Sequence, residues 1–248
     1  MSGYVQTSEK LLLAFRSGGR CARCREVITV EATGWDPAKT LGFAAHIKGE
    51  NGNSARYDAS QPDSERNVYG NLVYLCGNCH SVIDKQEKTY PVALLLDMKN
   101  NHEKWVNAKL RESSVAVGFS ELDVIAKAIL GQPHNPTLDF TVIGPAAKMK
   151  KNGLGIAVLE QLKMGYGKAP EVKKYVDHVA LIDVDFPERL KSGFAEQYNT
   201  LRAQGLSGDT LFFALRDFAS KGSIEFTDQA AALSILSYLF QNCEVFER

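Results

Sequence analysis

Asn71-Leu72-Val73-Tyr74-Leu75-Cys76-Gly77-Asn78-Cys79-His80-Ser81-Val82-Ile83-Asp84 is the stretch on which the reading of the whole chain turns. Its first half is a short apolar run of β-formers around Val73 and Leu75, which argues for a strand entering from the Asn71 end. Cys76 and Cys79 follow at knuckle spacing. His80 and Asp84 then lie four residues apart, so on a helix that begins near Cys79 both side chains leave one face and reach toward a common ligand. An imidazole with a carboxylate suits a divalent cation.

Moving toward the N-terminus, the thiol pattern recurs as Cys21-Ala22-Arg23-Cys24. Each such loop presents two thiolates, and two loops complete a tetrahedron, so structural Zn2+ is expected on Cys21, Cys24, Cys76 and Cys79. The competing readings are a pair of disulfides, which a reducing cytosol disfavours, and unrelated buried thiols. Cys243, the fifth cysteine, reads as a small buried apolar residue.

Ser8 to Arg16 carries a cap-like Ser8 before good helix formers and ends at Ser17-Gly18-Gly19, which predicts a short helix leading to the first knuckle. Val27 to Val30 is strand-like, and Gly34-Trp35-Asp36-Pro37 reads as a turn or loop. Leu41-Gly42-Phe43-Ala44-Ala45-His46-Ile47 is an apolar strand whose one ionisable group is His46. A lone histidine on such a strand is usually a satisfied core residue, and the metal-type cluster downstream makes a site residue the rival reading. Lys48 to Gln61 is rich in Gly, Asn, Ser and Asp and reads as an exposed loop carrying Lys48, Arg56, Tyr57 and Asp58. These are either solvated charges or, for Lys48 and Arg56, phosphate contacts. Ser60 to Arg66 suggests one helical turn with Pro62 at its start.

Tyr90-Pro91 opens a longer helix through Val92, Leu95, Met98, Trp105 and Leu110, with His102 and Glu103 as surface or packing residues. Ser113-Ser114 marks the expected boundary between domains at 1–112 and 115–248. Beyond it the texture becomes helical. Phe119 to Leu130 is a helix with Ser120 as cap, closed by Gly131-Gln132-Pro133. Val172, Tyr175, Val176 and Val179 recur at helical spacing, as do Leu190, Phe194, Tyr198 and Leu201, and then Leu211, Leu215 and Phe218. From Thr227 to Phe240 the apolar positions go nearly all round. Lys148-Met149-Lys150-Lys151 is a basic cluster, read either as an exposed helix face or as a DNA contact. His134 and His178 have no partners at metal spacing. With no second reactive cluster, this half reads as a docking or regulatory module.

The chain's 248 residues, 44% of them hydrophobic, can bury a sizeable core. Its 29 basic and 29 acidic residues balance, so there is no global field to draw in nucleic acid, and any phosphate contact must come from a local patch. There is no run of about 18 apolar residues, and Met1-Ser2-Gly3-Tyr4-Val5-Gln6 lacks the apolar core of a signal peptide. A cytoplasmic protein with no membrane partner is expected.

Taken together, Cys21-x-x-Cys24, Ala45-His46-Ile47 and Asn71 through Leu75-Cys76-x-x-Cys79-His80-x-x-Ile83-Asp84 resemble the HNH endonuclease family with its ββα-metal finger. The likeness covers roughly residues 19 to 105. It implies an α+β fold, a zinc-stapled ββα-metal domain followed by a mostly α-helical C-terminal domain, and hydrolysis of DNA phosphodiesters. It also implies roles: His46 as the base that activates water, Asn71 orienting the hairpin, and His80 in the catalytic metal site. Mg2+ or Mn2+ would be held by His80 with Asp84. One departure is Ala45, where many members carry a metal ligand, so the ion would rely on His80, Asp84, water and phosphate or recruit another group such as Asp58.

The C-terminal half, through Lys148-Met149-Lys150-Lys151-Asn152-Gly153-Leu154, Phe186-Pro187-Glu188-Arg189-Leu190 and Leu239 to Phe246, resembles effectors of the ABC-three-component (Lamassu-like) anti-phage systems. That resemblance implies two partners besides DNA, an SMC-like ABC ATPase and a small middle subunit. A homodimer would set two sites on the two strands of a duplex. The rival expectations are a zinc-stabilised DNA-binding or scaffold protein with a decayed site and a stand-alone HNH restriction endonuclease.

Overall fold

Apolar periodicity that changes from strand-like to helical near residue 77 shows directly in the computed structural model, which describes residues 4–30, 33, 35–36, 39–131, 144–242 and 246. The protein is mixed α+β and mostly helical. Its chain divides into two compact units, Met1–Ala108 and Lys109–Arg248.

The first unit opens with α1 (Thr7–Arg16). Two short strands, β1 (Thr29–Val30) and β2 (Lys39–Thr40), pair antiparallel. A second antiparallel pair follows, β3 (Phe43–His46) with β4 (Leu72–Leu75), in a register that sets Phe43 opposite Leu75 and His46 opposite Leu72. All four β4 residues are buried, so this strand is the spine of the unit. Leu13, Ile28, Ala45, Ile47, Ile83 and Leu95 gather in the same core. Gly42 is required by close approach, since a Cβ there would collide with the Tyr74 ring. After Cys76 comes α2 (Gly77–Lys85), giving a strand-strand-helix order, and then α3 (Val92–Ala116).

One local expectation gives way to a longer-range contact. Ser8 lies inside α1 and does not cap it; Gln6 holds the cap position without a side-chain bond, and the carboxylate of Glu9 accepts the Tyr69 amide. The serine pair at 113 and 114 does not interrupt α3, because Ser114 Oγ donates to the Arg111 carbonyl at 2.7 Å and so satisfies its hydroxyl within the helix. The division between units therefore falls inside a continuous helix. His102 and Glu103 are packing residues. His102 is buried, with Nε2 3.1 Å from the Ser17 carbonyl, and Glu103 pairs with Arg16 at 2.7 Å.

The second unit holds α4 (Phe119–Leu130), α5 (Pro145–Lys151), α6 (Ile156–Tyr166), α7 (Ala169–Ala180), α8 (Phe186–Ala203), α9 (Gly208–Ala219) and α10 (Phe226–Asn242). The helix that is apolar all round is the central one: α10 is buried from Gln229 to Ser237 and again at Leu239 and Phe240, against α4, α6, α7 and α9. α6 comes so near that a Cβ on Gly165 would collide with the Ser237 hydroxyl. Ser120 is not the cap of α4; Glu121 takes the Gly118 amide at 2.8 Å from within the first turn. The basic cluster is split, for Lys148 is fully buried and donates to the Phe240 carbonyl at 2.8 Å, while Lys150 and Lys151 are exposed. Lys148 thus satisfies a carbonyl near the end of α10, where a cation is favoured. The expected stop at Gln132-Pro133, together with His134 and Cys243, lies outside the described residues. Among the described residues no helix is long and apolar enough to cross a membrane.

Candidate functional site

The sulfur cluster forms where the first unit's two tight turns meet. The first knuckle is anchored to the spine strand by the Ala22 amide donating to the Tyr74 carbonyl at 2.8 Å, and it closes on itself through Arg25 N to the Cys21 carbonyl at 2.8 Å. Arg25 takes a left-handed backbone (φ 62°) to make that turn. The second knuckle is the start of α2, where Cys76 Sγ accepts the Cys79 amide at 3.4 Å. The donor atoms of Cys21, Cys24, Cys76 and Cys79 all lie within 4.8 Å of one another.

All four thiols are free, and Cys24 Sγ stands 3.9 Å from Cys76 Sγ. A sulfur-sulfur bond needs about 2.05 Å. Four sulfurs at about 2.3 Å from a central Zn2+ would lie roughly 3.8 Å apart. The spacing fits a metal such as zinc and not a disulfide. Burial pushes the Cys79 thiol up to about 12, against the pull of Arg23, whose Nη1 lies 3.6 Å from the sulfur. Burial also opposes ionisation at Cys21, yet the amides of Cys24, Cys76 and Arg23 turned toward its sulfur bring it below its ordinary value. A bound cation would favour the thiolate form of all four sulfurs.

A second set of polar groups surrounds the β3–β4–α2 unit. His46 ends β3 and is half-buried, with Nε2 2.8 Å from Asn67 Oδ1. Asn71 is buried just before β4 and ties together the two ends of the intervening loop. Its Oδ1 accepts the Lys48 amide at 2.9 Å, and its Nδ2 donates to the carbonyls of Lys48 at 2.9 Å and Arg66 at 2.8 Å. Arg66, also buried, donates to the carbonyls of Gly49, Asp58 and Gln61.

On α2, His80 Nε2 lies 3.1 Å from Asp84 Oδ2, both groups partly exposed, and the His80 ring sits 5.4 Å from that of Phe43. The pair is an i, i+4 contact at ion-pair distance along one face of α2. Among the described residues no third histidine, cysteine or acidic side chain joins them in a three-ligand cluster. The position before His46 is Ala45, buried and without a donor.

Asp58 is engaged elsewhere. Its carboxylate accepts from Lys48 Nζ at 2.8 Å and from Ser60, and the Lys48 ammonium foremost holds it well below the usual carboxylate range.

No family model matches the chain, and no curated protein matches it.

Sequence reasoning singled out His46, Asn71, His80, Asp84 and the four cysteines, and left unmarked two side chains that organise their surroundings. Asn67 contacts the His46 ring, and Arg66 holds the loop from within. Neither stands at a diagnostic spacing, and both act through closure of a loop whose path the residue types do not reveal. Lys48 faces Asp58, and Arg56 turns its guanidinium inward. Arg56 donates to the carbonyls of Ile47 at 2.9 Å, Ile83 at 3.0 Å and His46 at 3.4 Å, and to Asp84 Oδ1 at 2.6 Å.

Proposed function

We propose that the first unit is a metal-dependent DNA endonuclease of the HNH type. The observation that carries this reading is the strand-strand-helix order in which His46 ends β3, a buried Asn71 fastens the loop before β4, and His80 lies in the first turn of α2 beside Cys79 of the second knuckle.

Phosphodiester hydrolysis needs a nucleophile made from water, charge neutralisation on the phosphate, and help for the departing 3′ oxygen. His46 takes the water proton, for which an imidazole offers a ring-nitrogen lone pair. His80 and Asp84 would hold Mg2+ or Mn2+, which supplies the other two functions when bound. The four-cysteine site would hold Zn2+ with every position filled by sulfur, which makes it structural and not catalytic.

The helical second unit, with no second cluster of metal-ligating side chains among the described residues, is assigned to docking. Its partners would be an SMC-like ABC ATPase and a small middle subunit of a cytoplasmic anti-phage complex that releases the nuclease. A second reading draws on Ala45 and on the absence of a third protein ligand among the described residues beside His80 and Asp84. On that reading the chain is a zinc-stabilised DNA-binding scaffold with a decayed site.

The test is plasmid nicking with Mg2+ or Mn2+, by the protein alone and with the ATPase. His46→Ala is expected to lower the rate about 10²- to 10⁴-fold while zinc content stays unchanged. Equal cleavage by that variant removes the assignment, and a zinc-loaded, folded protein that binds no Mn2+ by titration calorimetry favours the scaffold.

A further inference from the structure

General-base chemistry needs one particular nitrogen of an imidazole to be free, and a neutral ring offers only one lone pair at a time. His46 Nε2 lies 2.8 Å from Asn67 Oδ1. An amide oxygen can only accept, so the nitrogen that faces it carries the hydrogen, and the lone pair is left on Nδ1.

Asn67 is itself held on both sides. Its neighbour Arg66 gives its carbonyl to Asn71 Nδ2 at 2.8 Å and its guanidinium to the carbonyls of Asp58 at 3.0 Å and Gln61 at 2.8 Å. Val68, which follows, has an extended backbone and gives its carbonyl to the Asn71 amide at 2.9 Å. The other partner is equally constrained, since His46 is paired with Leu72 in the ladder and its carbonyl accepts from Arg56. Two anchored segments therefore hold the two ends of this side-chain bond.

The geometry points to Asn67 as a positioning residue for the His46 ring, one that keeps the hydrogen on Nε2 and turns Nδ1 outward as the base. This role rests on the endonuclease reading of His46. In the reaction the water O–H bond breaks, its proton passes to Nδ1, and the water oxygen bonds to phosphorus. The P–O3′ bond breaks, and its electron pair leaves on the 3′ oxygen. With Nε2–H already given to Asn67, the imidazolium that forms keeps a partner on its far side, as the third member of a catalytic triad keeps its histidine.

The experiment uses the full-length, zinc-loaded protein and a supercoiled plasmid with Mn2+, comparing wild type with Asn67→Leu, which keeps the volume and loses the acceptor, and Asn67→Asp, which keeps an acceptor oxygen. The expected result is a fall in kcat of about 10- to 100-fold for the leucine variant, with KM unchanged, and recovery of most of that loss in the aspartate variant. A readout free of activity accompanies it: on ¹⁵N-histidine-labelled protein, the resonance lost in His46→Ala should appear as an exchange-protected Nε2–H in wild type and Asn67→Asp. It should be missing in Asn67→Leu.

Wild-type kcat in the leucine variant, or a leucine variant impaired and not restored by aspartate, or an Nε2–H signal that survives in Asn67→Leu, each overturns the positioning role while leaving the nuclease standing. A wild-type protein that nicks neither alone nor with the ATPase overturns the endonuclease reading and the role together.

Discussion

The guanidinium of Arg56 lies 2.6 Å from the Asp84 carboxylate, and the same group reaches the backbone carbonyls of Ile47, Ile83 and His46. One side chain, only 5% exposed, thus ties the end of β3 to the end of α2. Its own backbone adopts a left-handed conformation (φ 57°), a cost that persists only where surrounding contacts over-determine it. Arg56→Lys should destabilise the protein by roughly 2 kcal/mol, because an ammonium cannot reproduce a planar fork of donors. Denaturant unfolding measures this. The rival role, a phosphate contact, has a different signature: loss of the arginine would lower the salt slope of DNA binding by about one. Unchanged stability with a lowered slope would return Arg56 to the nucleic-acid surface.

The Asn71 side chain makes three hydrogen bonds, and the residue is 6% exposed. Replacement by alanine strands the amide of Lys48 and the carbonyls of Lys48 and Arg66, so a loss of about 2–4 kcal/mol is expected. Asn71→Asp keeps the acceptor for Lys48 N and turns two carbonyl oxygens against a carboxylate, so it should restore little. Equilibrium unfolding of both variants decides the matter. An alanine variant as stable as wild type would mean that the loop closes without this residue.

The parts of the site that were legible in the sequence are those fixed by short spacing. Two residues between paired cysteines suffice to form a knuckle. A four-residue interval on a helix suffices to bring His80 to Asp84, and the short apolar run of β-formers around Val73 marks the spine strand. The illegible parts depend on where a long loop returns. Nothing in Lys48 to Arg66 shows that Arg56 folds inward or that Asn67 meets His46, because those contacts are set by tertiary closure and not by local pattern. The same holds for Lys148, whose charged neighbours suggest a surface and whose Nζ ends on the Phe240 carbonyl. Ser8 and Ser120 show the reverse failure. Each is a good cap by type, yet Gln6 and Gly118 hold the cap positions, and Glu9 and Glu121 in the first turns bond the amides of Tyr69 and Gly118.

The four-cysteine site joins two turns far apart in sequence to the spine strand, so a metal ion bound there should contribute to folding and not merely decorate it. Removing the metal with a strong chelator is expected to lower stability by roughly 3–4 kcal/mol or more, by mass action alone at ordinary zinc saturation. Cys76→Ser, which takes away both a ligand and the sulfur that accepts the Cys79 amide, should bind less than one zinc per chain and melt at lower temperature. Elemental analysis and thermal unfolding give both quantities. Full stability in a metal-free sample would make the cluster four neighbouring thiols and nothing more.

Lys99 offers a test of the first unit through pH alone. It is 5% exposed, donates to the Tyr69 carbonyl and lies over the Tyr69 ring at 3.4 Å, and burial foremost brings its ammonium down to about 8. An amine with a lowered pKa in the folded state binds fewer protons there than in the unfolded chain, between that value and its ordinary 10.5. Unfolding free energy must therefore rise with pH across that window. The cost of burying the charge is fully present below pH 8 and is relieved above it. Between pH 7 and pH 9 this group alone should raise stability by about 1 kcal/mol. Lys99→Met, which keeps the aliphatic stem and removes the charge, should abolish that rise. Denaturant titrations at the two pH values, wild type against variant, measure the difference; parallel curves would show that the ammonium stays protonated in the fold through contact with Glu103, which favours the charged form.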